Sequence, residues 1–514
     1  SRITCAFMRR RSQLARAPET AIAAPRLYTP MRGVSALRQI KQALRSITSS
    51  GCAAVLGVLA AMALGACGST PGRAPLEPSA TIAEYSARRL DTLAPDLPPA
   101  TAGWNRAQWL SAALRLNPRL AEERAEVDAV AAGQRTAAER PNPSMQLFAE
   151  YLTSAAQSGA WLYGLSMDFL LRQPGERGRL QHRAALQTAL AKSDLAELLW
   201  QVRTSLRQAL LDAAAAQDET ALLHSLASER QALLDADRAR LRLGDIARAQ
   251  VLVDELELAR AQQREQQSRA RSADAAARLA AAVGVPVAAL DAVPLRWNGW
   301  DAIDSLAVSS ASRWRSDALI ARPQVIHALR EYDLAEVGLQ SEVAKRWPQF
   351  HITPAYAWGG EGVQQNTLYD IATEAGVAVS FELPIFNQHQ GPIGEAVARR
   401  TAAGEHLKAV QADILGQIDR AERAWPAAQQ SWADTRRVAG LAERQRQVEQ
   451  HALDAGNSDR SSLLTAQIAA TEAQLLVLQA AYTAQTVFGA LEDAYRRPLQ
   501  GEEGQWLPAA TPQS

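Results

Sequence analysis

Side chains suited to chemistry are thinly spread along this 514-residue sequence. Its histidines, His182, His224, His327, His351, His389, His406 and His451, include no pair four apart that would set two imidazoles on one helix face around a metal. There is no GxxxxGK[ST] loop to cradle a nucleotide phosphate and no GxSxG turn to present a nucleophilic serine. The reading is therefore no enzyme, with no catalytic residue, no resident cofactor and no metal site. Cys5, Cys52 and Cys67 are too few for a disulfide framework. With 55 basic against 54 acidic residues, the chain has no positive excess for phosphate backbones, which excludes nucleic acid as a partner. Carboxylates do gather where the chain turns, at Asp245, Asp454 and Asp459, with Arg248 and Arg460 beside them.

Those turns join very long helices. Leu195, Leu199, Val202, Leu206, Ala209, Ala213, Ala216, Thr220, Leu223, Ala227, Leu234 and Leu241 follow a 3.5-residue period. A helix from about 176 to 243 would run on the order of 100 Å. Leu407, Ile414, Ile418, Ala421, Trp425, Ala428, Trp432, Thr435, Ala439, Ala442 and Leu453 repeat the pattern. Gly244 and Gly456 suit left-handed helix ends, and Asp245 and Asn457 suit the next helix starts. The returning helix reads as a seam of Ala249, Leu252, Leu256, Ala259, Ala270, Ala273, Ala277 and Ala280. Pro426 lies inside the second long helix, where a kink is expected.

The repetition is general. Asn117-Pro118 answers Arg322-Pro323, Pro143 answers Pro348 and Tyr151 answers Tyr356; Leu241 to Asp245 answers Leu453 to Asn457 at a shifted register. The second copy carries a longer loop near 359 to 373. The expected divisions are 1–66, an upstream extension and signal; 67–103, an N-terminal segment; 104–284, the first repeat; 285–315, a connector; 316–498, the second repeat; and 499–514, a tail. Each repeat is ordered helix, two strands, long helix, tight turn, helix.

The signal reading rests on a basic stretch with Arg32, Arg38, Lys41 and Arg45, then an apolar run from Ala53 to Leu64. Leu64-Gly65-Ala66-Cys67 resembles a bacterial lipobox, which implies lipidation at Cys67 and, with Gly68 and Ser69 following, sorting to the outer membrane. Without residues 1–66 the chain holds 45 basic and 53 acidic residues, a net −8.

The four strand segments alternate. Met145, Leu147, Ala149 and Tyr151 face away from Gln146, Phe148 and Glu150; Trp161, Tyr163, Leu165, Met167 and Phe169 face away from Leu162, Gly164, Ser166 and Asp168. Phe350, Ile352, Tyr356 and Trp358, and then Val377, Val379, Phe381 and Leu383, form the apolar faces of the second pair. Such strands suit an outer-membrane barrel shared between chains; a soluble two-hairpin sheet would alternate equally well.

A duplicated helix, hairpin, long helix and returning helix behind a lipobox resembles the TolC-type outer-membrane factors of tripartite efflux pumps. Ala113-Leu114-Arg115-Leu116-Asn117-Pro118-Arg119-Leu120 and Leu383-Pro384-Ile385-Phe386-Asn387 carry the resemblance; Gly175-Glu176-Arg177-Gly178-Arg179 and Gln388-His389-Gln390-Gly391 resemble the heavy-metal, CzcC- and CusC-like branch. The implied fold class is mainly α with membrane β: a homotrimer with a periplasmic α-helical barrel and a twelve-stranded outer-membrane β-barrel. The implied function is passive conduction of substrates, heavy-metal cations in that branch, from an inner-membrane resistance-nodulation-division pump and a periplasmic adaptor. The implied periplasmic gate residues are Asp245, Asp454 and Asp459. The implied adaptor-docking tips are Arg242, Leu243, Gly244, Ala455, Gly456, Asn457 and Ser458. Arg248 and Arg460 would either latch the closed state or be solvated. The alternatives are the same architecture exporting drugs or proteins, and a lipid-anchored periplasmic coiled-coil scaffold.

Overall fold

A computed structural model of the protein describes residues 75–90, 103–152, 160–291, 293–294, 303, 311–359, 361–364, 367–370, 373–499 and 503. The signal segment and Cys67 lie outside the described residues, as does most of the 499–514 tail. From Pro78 onward the chain forms one unit. It opens with the short helix α1 (Pro78–Ser86).

The first repeat comprises α2 (Arg106–Leu116), α3 (Pro118–Ala138), β1 (Ser144–Leu152), β2 (Ala160–Leu171), α4 (Glu176–Leu243) and α5 (Arg248–Val283). The second comprises α6 (Ala311–Ala321), α7 (Pro323–Ala344), β3 (Phe350–Gly359), β4 (Glu361–Gln364), β5 (Thr367–Asp370), β6 (Glu374–Phe381), α8 (Gln390–Asp454) and α9 (Arg460–Tyr495). The paired prolines start equivalent helices: Pro118 and Pro323 each occupy a first-turn position, where a missing N–H costs nothing. The longer loop of the second repeat is built as the β4–β5 hairpin.

Strand order β1-β2-β3-β6 is antiparallel throughout. In the upper half α4 packs on α3 and α7, and α7 on α8, so helix order α3-α4-α7-α8 repeats the order of the attached strands. In the lower half α4 packs between α5 and α9, and α9 packs on α8. The lower sheet of helices therefore reads α5-α4-α9-α8, with α5 and α8 at its edges.

The long-helix seams follow their period along α4, and on α8 as far as Trp432; beyond it Thr435, Ala439, Ala442 and Leu453 are only half-buried. Val202, Leu206, Ala209, Ala213, Ala216, Leu223 and Leu234 are buried on α4, and Ile414, Ile418, Ala421, Trp425, Ala428 and Trp432 on α8. Equivalent cores result, one gathering α2, α4 and α5, the other α6, α8 and α9. Helix α8 runs through Pro426 as a single element, with Trp425 stacked against Phe488 at 5.2 Å.

Two sequence expectations change. The buried face of α5 is Val251, Asp254, Leu258, Ala261, Glu265, Ser268, Ala275, Leu279 and Ala280; of the expected seam Ala280 alone is inside, whereas Ala249, Leu252, Leu256, Ala259, Ala270, Ala273 and Ala277 are exposed. The heptad spacing was right and its phase wrong, because polar residues occupy the inner seam. The starts of the returning helices also move: α5 begins after Ala247 without a side-chain cap, and α9 is capped by Asp459, whose Oδ1 accepts the Ser462 N–H at 2.7 Å. Asp245 and Asn457 instead complete the ends of the preceding helices.

Candidate functional site

Two regions carry the site: the sheet at one end of the long helices and the turns at the other. In the sheet, register places Met145 opposite Met167, Leu147 opposite Leu165, Leu165 opposite Tyr356 and Ile352 opposite Val379. The apolar alternation thus continues across all four strands as one face. Leu147, Tyr151, Phe169, Tyr356, Val377, Val379 and Phe381 on it are exposed, Val377 to 68%. Contiguous exposed apolar faces mark surfaces that contact protein or membrane. Among the described residues no helix is long and apolar enough to cross a membrane.

The opposite face carries Gln146, Glu150, Ser166, Asp168, His351, Thr353, Ser380 and Glu382. Asp168 accepts from Thr353 Oγ1 at 2.9 Å and lies 2.9 Å from His351 Nδ1, joining β2 to β3. Phe148 lies across Gly164: a Cβ there would meet the ring at 2.0 Å. The Asp168–His351 pairing is not legible in the sequence, since strand register across the two repeats is not written in either repeat alone.

At the far end both turns close the same way. Gly244 N–H donates to Leu241 and Asp245 N–H to Arg240; Gly456 N–H donates to Leu453 and Asn457 N–H to Ala452. Both glycines take positive φ, 83° and 75°, which closes the last turn without a Cβ clash. Arg242, Leu243, Gly244, Asp245, Asp454, Ala455, Gly456 and Asn457 are all exposed, Leu243 to 78%, while Ser458 is half-buried and donates to Glu449 at 2.8 Å. Asp454 accepts from Gln450 at 2.9 Å. Asp459 caps α9, and the Ser462 N–H holds its carboxyl below the usual carboxylate range. The arginine beside Asp459 is Arg240, at 4.0 Å, which also lies 3.6 Å from Asp237.

Just above the turns lies a feature that apolar periodicity could not reveal. Asp237 on α4 and Asp254 on α5 are both buried, and Ser461 on α9 donates to Asp237 at 2.8 Å. Burial pushes the Asp254 carboxyl up, and Asp237 adds to the shift. The usable signal was polar residues at heptad positions.

Midway along, Arg106, Arg203 and Arg207 converge on Glu492 and Glu503. Arg203 lies 2.8 Å from each carboxylate and Arg207 3.4 Å from Glu492. Among the described residues no three His, Cys, Asp or Glu side chains stand together as a metal would require.

Fold and surfaces together define a class: a duplicated helical hairpin protein bearing an apolar-faced antiparallel sheet, the fold of outer-membrane channels. No family model and no curated protein sequence matches the chain. Solved structures do. The outer-membrane protein VceC from Vibrio cholerae superposes with a TM-score of 0.61 at 15% identity, over 78% of this chain and 100% of that one. The outer-membrane channel OprN gives 0.61 at 16% identity over 85% and 99%, and CusC, described in terms of transmembrane channel formation, gives 0.61 at 13% over 78% and 96%.

Proposed function

We propose that this chain is the outer-membrane channel of a tripartite efflux pump, anchored by an acyl group on Cys67 and passively conducting substrates delivered by an inner-membrane pump of the resistance-nodulation-division type through a periplasmic adaptor. The observation that carries the reading is the exposed apolar face running across β1, β2, β3 and β6. A periplasmic scaffold would leave that face in water; lipid covers it at no such cost. Four strands cannot close on themselves, so closure draws on further copies, three of them giving twelve strands.

The helical edges support the same assembly. Leu252, Val253 and Leu256 on α5 and Val438, Leu441 and Val448 on α8 are exposed, and these are the two edge helices. The outer edge of one copy then meets the inner edge of the next. Asp245, Asp454 and Asp459 would ring the narrow end, drawing cations, and the turn residues Arg242 to Gly244 and Ala455 to Ser458 would meet the adaptor. Heavy-metal cations are the substrate class favoured by the Gly175–Arg179 and Gln388–Gly391 phrases and by the net −8 of the chain after residue 66.

Planar-bilayer recording tests this. The expected result is discrete cation-preferring conductance steps, with conductance raised and cation preference reduced in Asp454→Ala/Asp459→Ala. Absence of steps from membrane-inserted protein contradicts the channel; unchanged steps in the double variant remove these aspartates from the gate. A metal-sensitivity panel on a deletion strain tests the substrate: sensitivity to no metal would overturn the heavy-metal assignment.

A further inference from the structure

The polar face of the sheet holds one imidazole arranged to use its second nitrogen. His351 is the second residue of β3; its Nδ1 lies 2.9 Å from Asp168 Oδ2, while Asp168 Oδ1 accepts from Thr353 Oγ1 at 2.9 Å. An ionised carboxylate only accepts, so the proton of the neutral ring sits on Nδ1 and the lone pair on Nε2. Nε2 has no partner among the described residues, and the side chain is 39% exposed. Register sets Ser380 against His351, Ala378 against Thr353 and Gly376 against Ala355, so no bulky side chain on that stretch of β6 covers the ring.

A carboxylate behind an imidazole is the arrangement that readies histidine for a metal: it fixes the tautomer, holds the ring and makes the free nitrogen more basic. Among the described residues no three His, Cys, Asp or Glu groups converge. His351 therefore offers one protein donor and leaves the other coordination positions to water. That is too little for a resident ion and suited to a passing one, since conduction needs sites that bind briefly and release. The donor is also neutral. It selects by ligand chemistry, favouring zinc, copper and nickel over magnesium and calcium, which take oxygen. Glu150 and Glu382 on the same face, by contrast, draw cations by charge.

We propose that His351 is a transit ligand in the channel wall, its Nε2 taking one coordination position of a hydrated zinc-, copper- or nickel-type cation, with Asp168 and Thr353 as positioning residues. The proposal rests on the reading of this face as the lining of a conduit. It deepens that reading by naming the side chain that tells a heavy-metal cation from a hard one, and copies of the chain would repeat it at one height.

Planar-bilayer recording of the full chain tests it, with zinc or magnesium chloride added to the same background salt. The readout is the ratio of the two half-blocking concentrations, which cancels differences in conductance or insertion between variants. In the unsubstituted chain zinc should block at a concentration roughly tenfold or more below magnesium. His351→Gln, whose amide can still donate to Asp168, should bring the two ions together; His351→Ala gives the same readout if the glutamine variant does not insert. Asp168→Asn should shrink the zinc preference about tenfold, the lower end of the cost of removing a ligand's outer partner. A purely electrostatic or structural role for the pair would instead shift both ions alike. Equal block by zinc and magnesium in the unsubstituted chain, or a zinc preference that survives loss of the imidazole, overturns the transit ligand and leaves the channel standing. Inserted protein that gives no conductance steps contradicts the conduit itself.

Discussion

Glu492 is the anion on which Arg106, Arg203 and Arg207 converge, and it is fully buried. Its burial alone would raise its pKa, but the arginines win and hold it below the usual glutamate range. A carboxylate depressed in the folded state stabilises above its unfolded pKa and loses that contribution as pH falls through the folded value. Glu492→Gln should therefore cost about 3–5 kcal/mol near neutral pH, because it leaves buried guanidinium groups uncompensated. Chemical denaturation at pH 7 checks the cost; a loss under about 1 kcal/mol, the scale of an exposed pair, would show the network is marginal. The buried pair near the turns runs the other way. Asp254 has a raised folded pKa, so its favourable contribution is complete below the unfolded value of about 3.8 and is lost as pH rises through the folded one. Gln250 on α5 and Arg230 on α4 moderate this without cancelling it, while Arg240 and Ser461 face Asp237. Amide exchange across 230–262 should accelerate as pH rises, after correction for intrinsic rates, and Asp254→Asn should flatten that dependence. A pH-independent profile in the unsubstituted protein would contradict the assignment.

At the scale of elements, the proposed membrane assignment sets one face of β6 against lipid and leaves the other free of it. Val379→Arg should cost about 2–4 kcal/mol and lower the inserted fraction, since it places charge against hydrocarbon. Ser380→Lys, on the polar face, should insert as the unsubstituted chain does, and equal loss from both would contradict the assigned faces. Insertion assayed by membrane flotation after alkaline extraction reads this. Much of this level was legible in the sequence. The period of α4 and α8, the two glycine turns and the alternation of all four strands are local properties, set by residues near one another in the chain. The phase of α5 was not legible, because Asp254, Glu265 and Ser268 face inward and hydrophobicity points to Leu252 and Leu256 instead. The cap at Asp459 was hidden for a related reason. Asn457 is also a good cap residue, and the preceding Gly456 turn uses its N–H to finish α8. Partners such as Arg240 for Asp459, or His351 for Asp168, join separate repeats, and pairwise proximity of that kind arises only on folding.

The whole molecule is organised as an open array with the same deficit at both ends of its order. Strands β1 and β6 bound the sheet, and α5 and α8 bound the lower helices. On α8 the buried seam ends at Trp432, and the stretch beyond exposes Val438, Leu441 and Val448. On α5 the exposed stripe includes Leu252 and Leu256, so the stripe at one edge has a counterpart at the other. Leu252 lies eight residues after Gly244 and Val448 eight before Gly456, so they stand at one height along antiparallel edges. The proposed closure by copies of the chain would join these edges, and it is the claim on which the barrel, the gate and the conduit depend. Disulfide trapping between Leu252→Cys and Val448→Cys measures it directly. In full chains with Cys5, Cys52 and Cys67 changed to Ser, oxidised in membranes and run denatured without reductant, closure by three predicts a ladder ending at a covalent trimer. Monomers alone, from protein that still inserts, would contradict it.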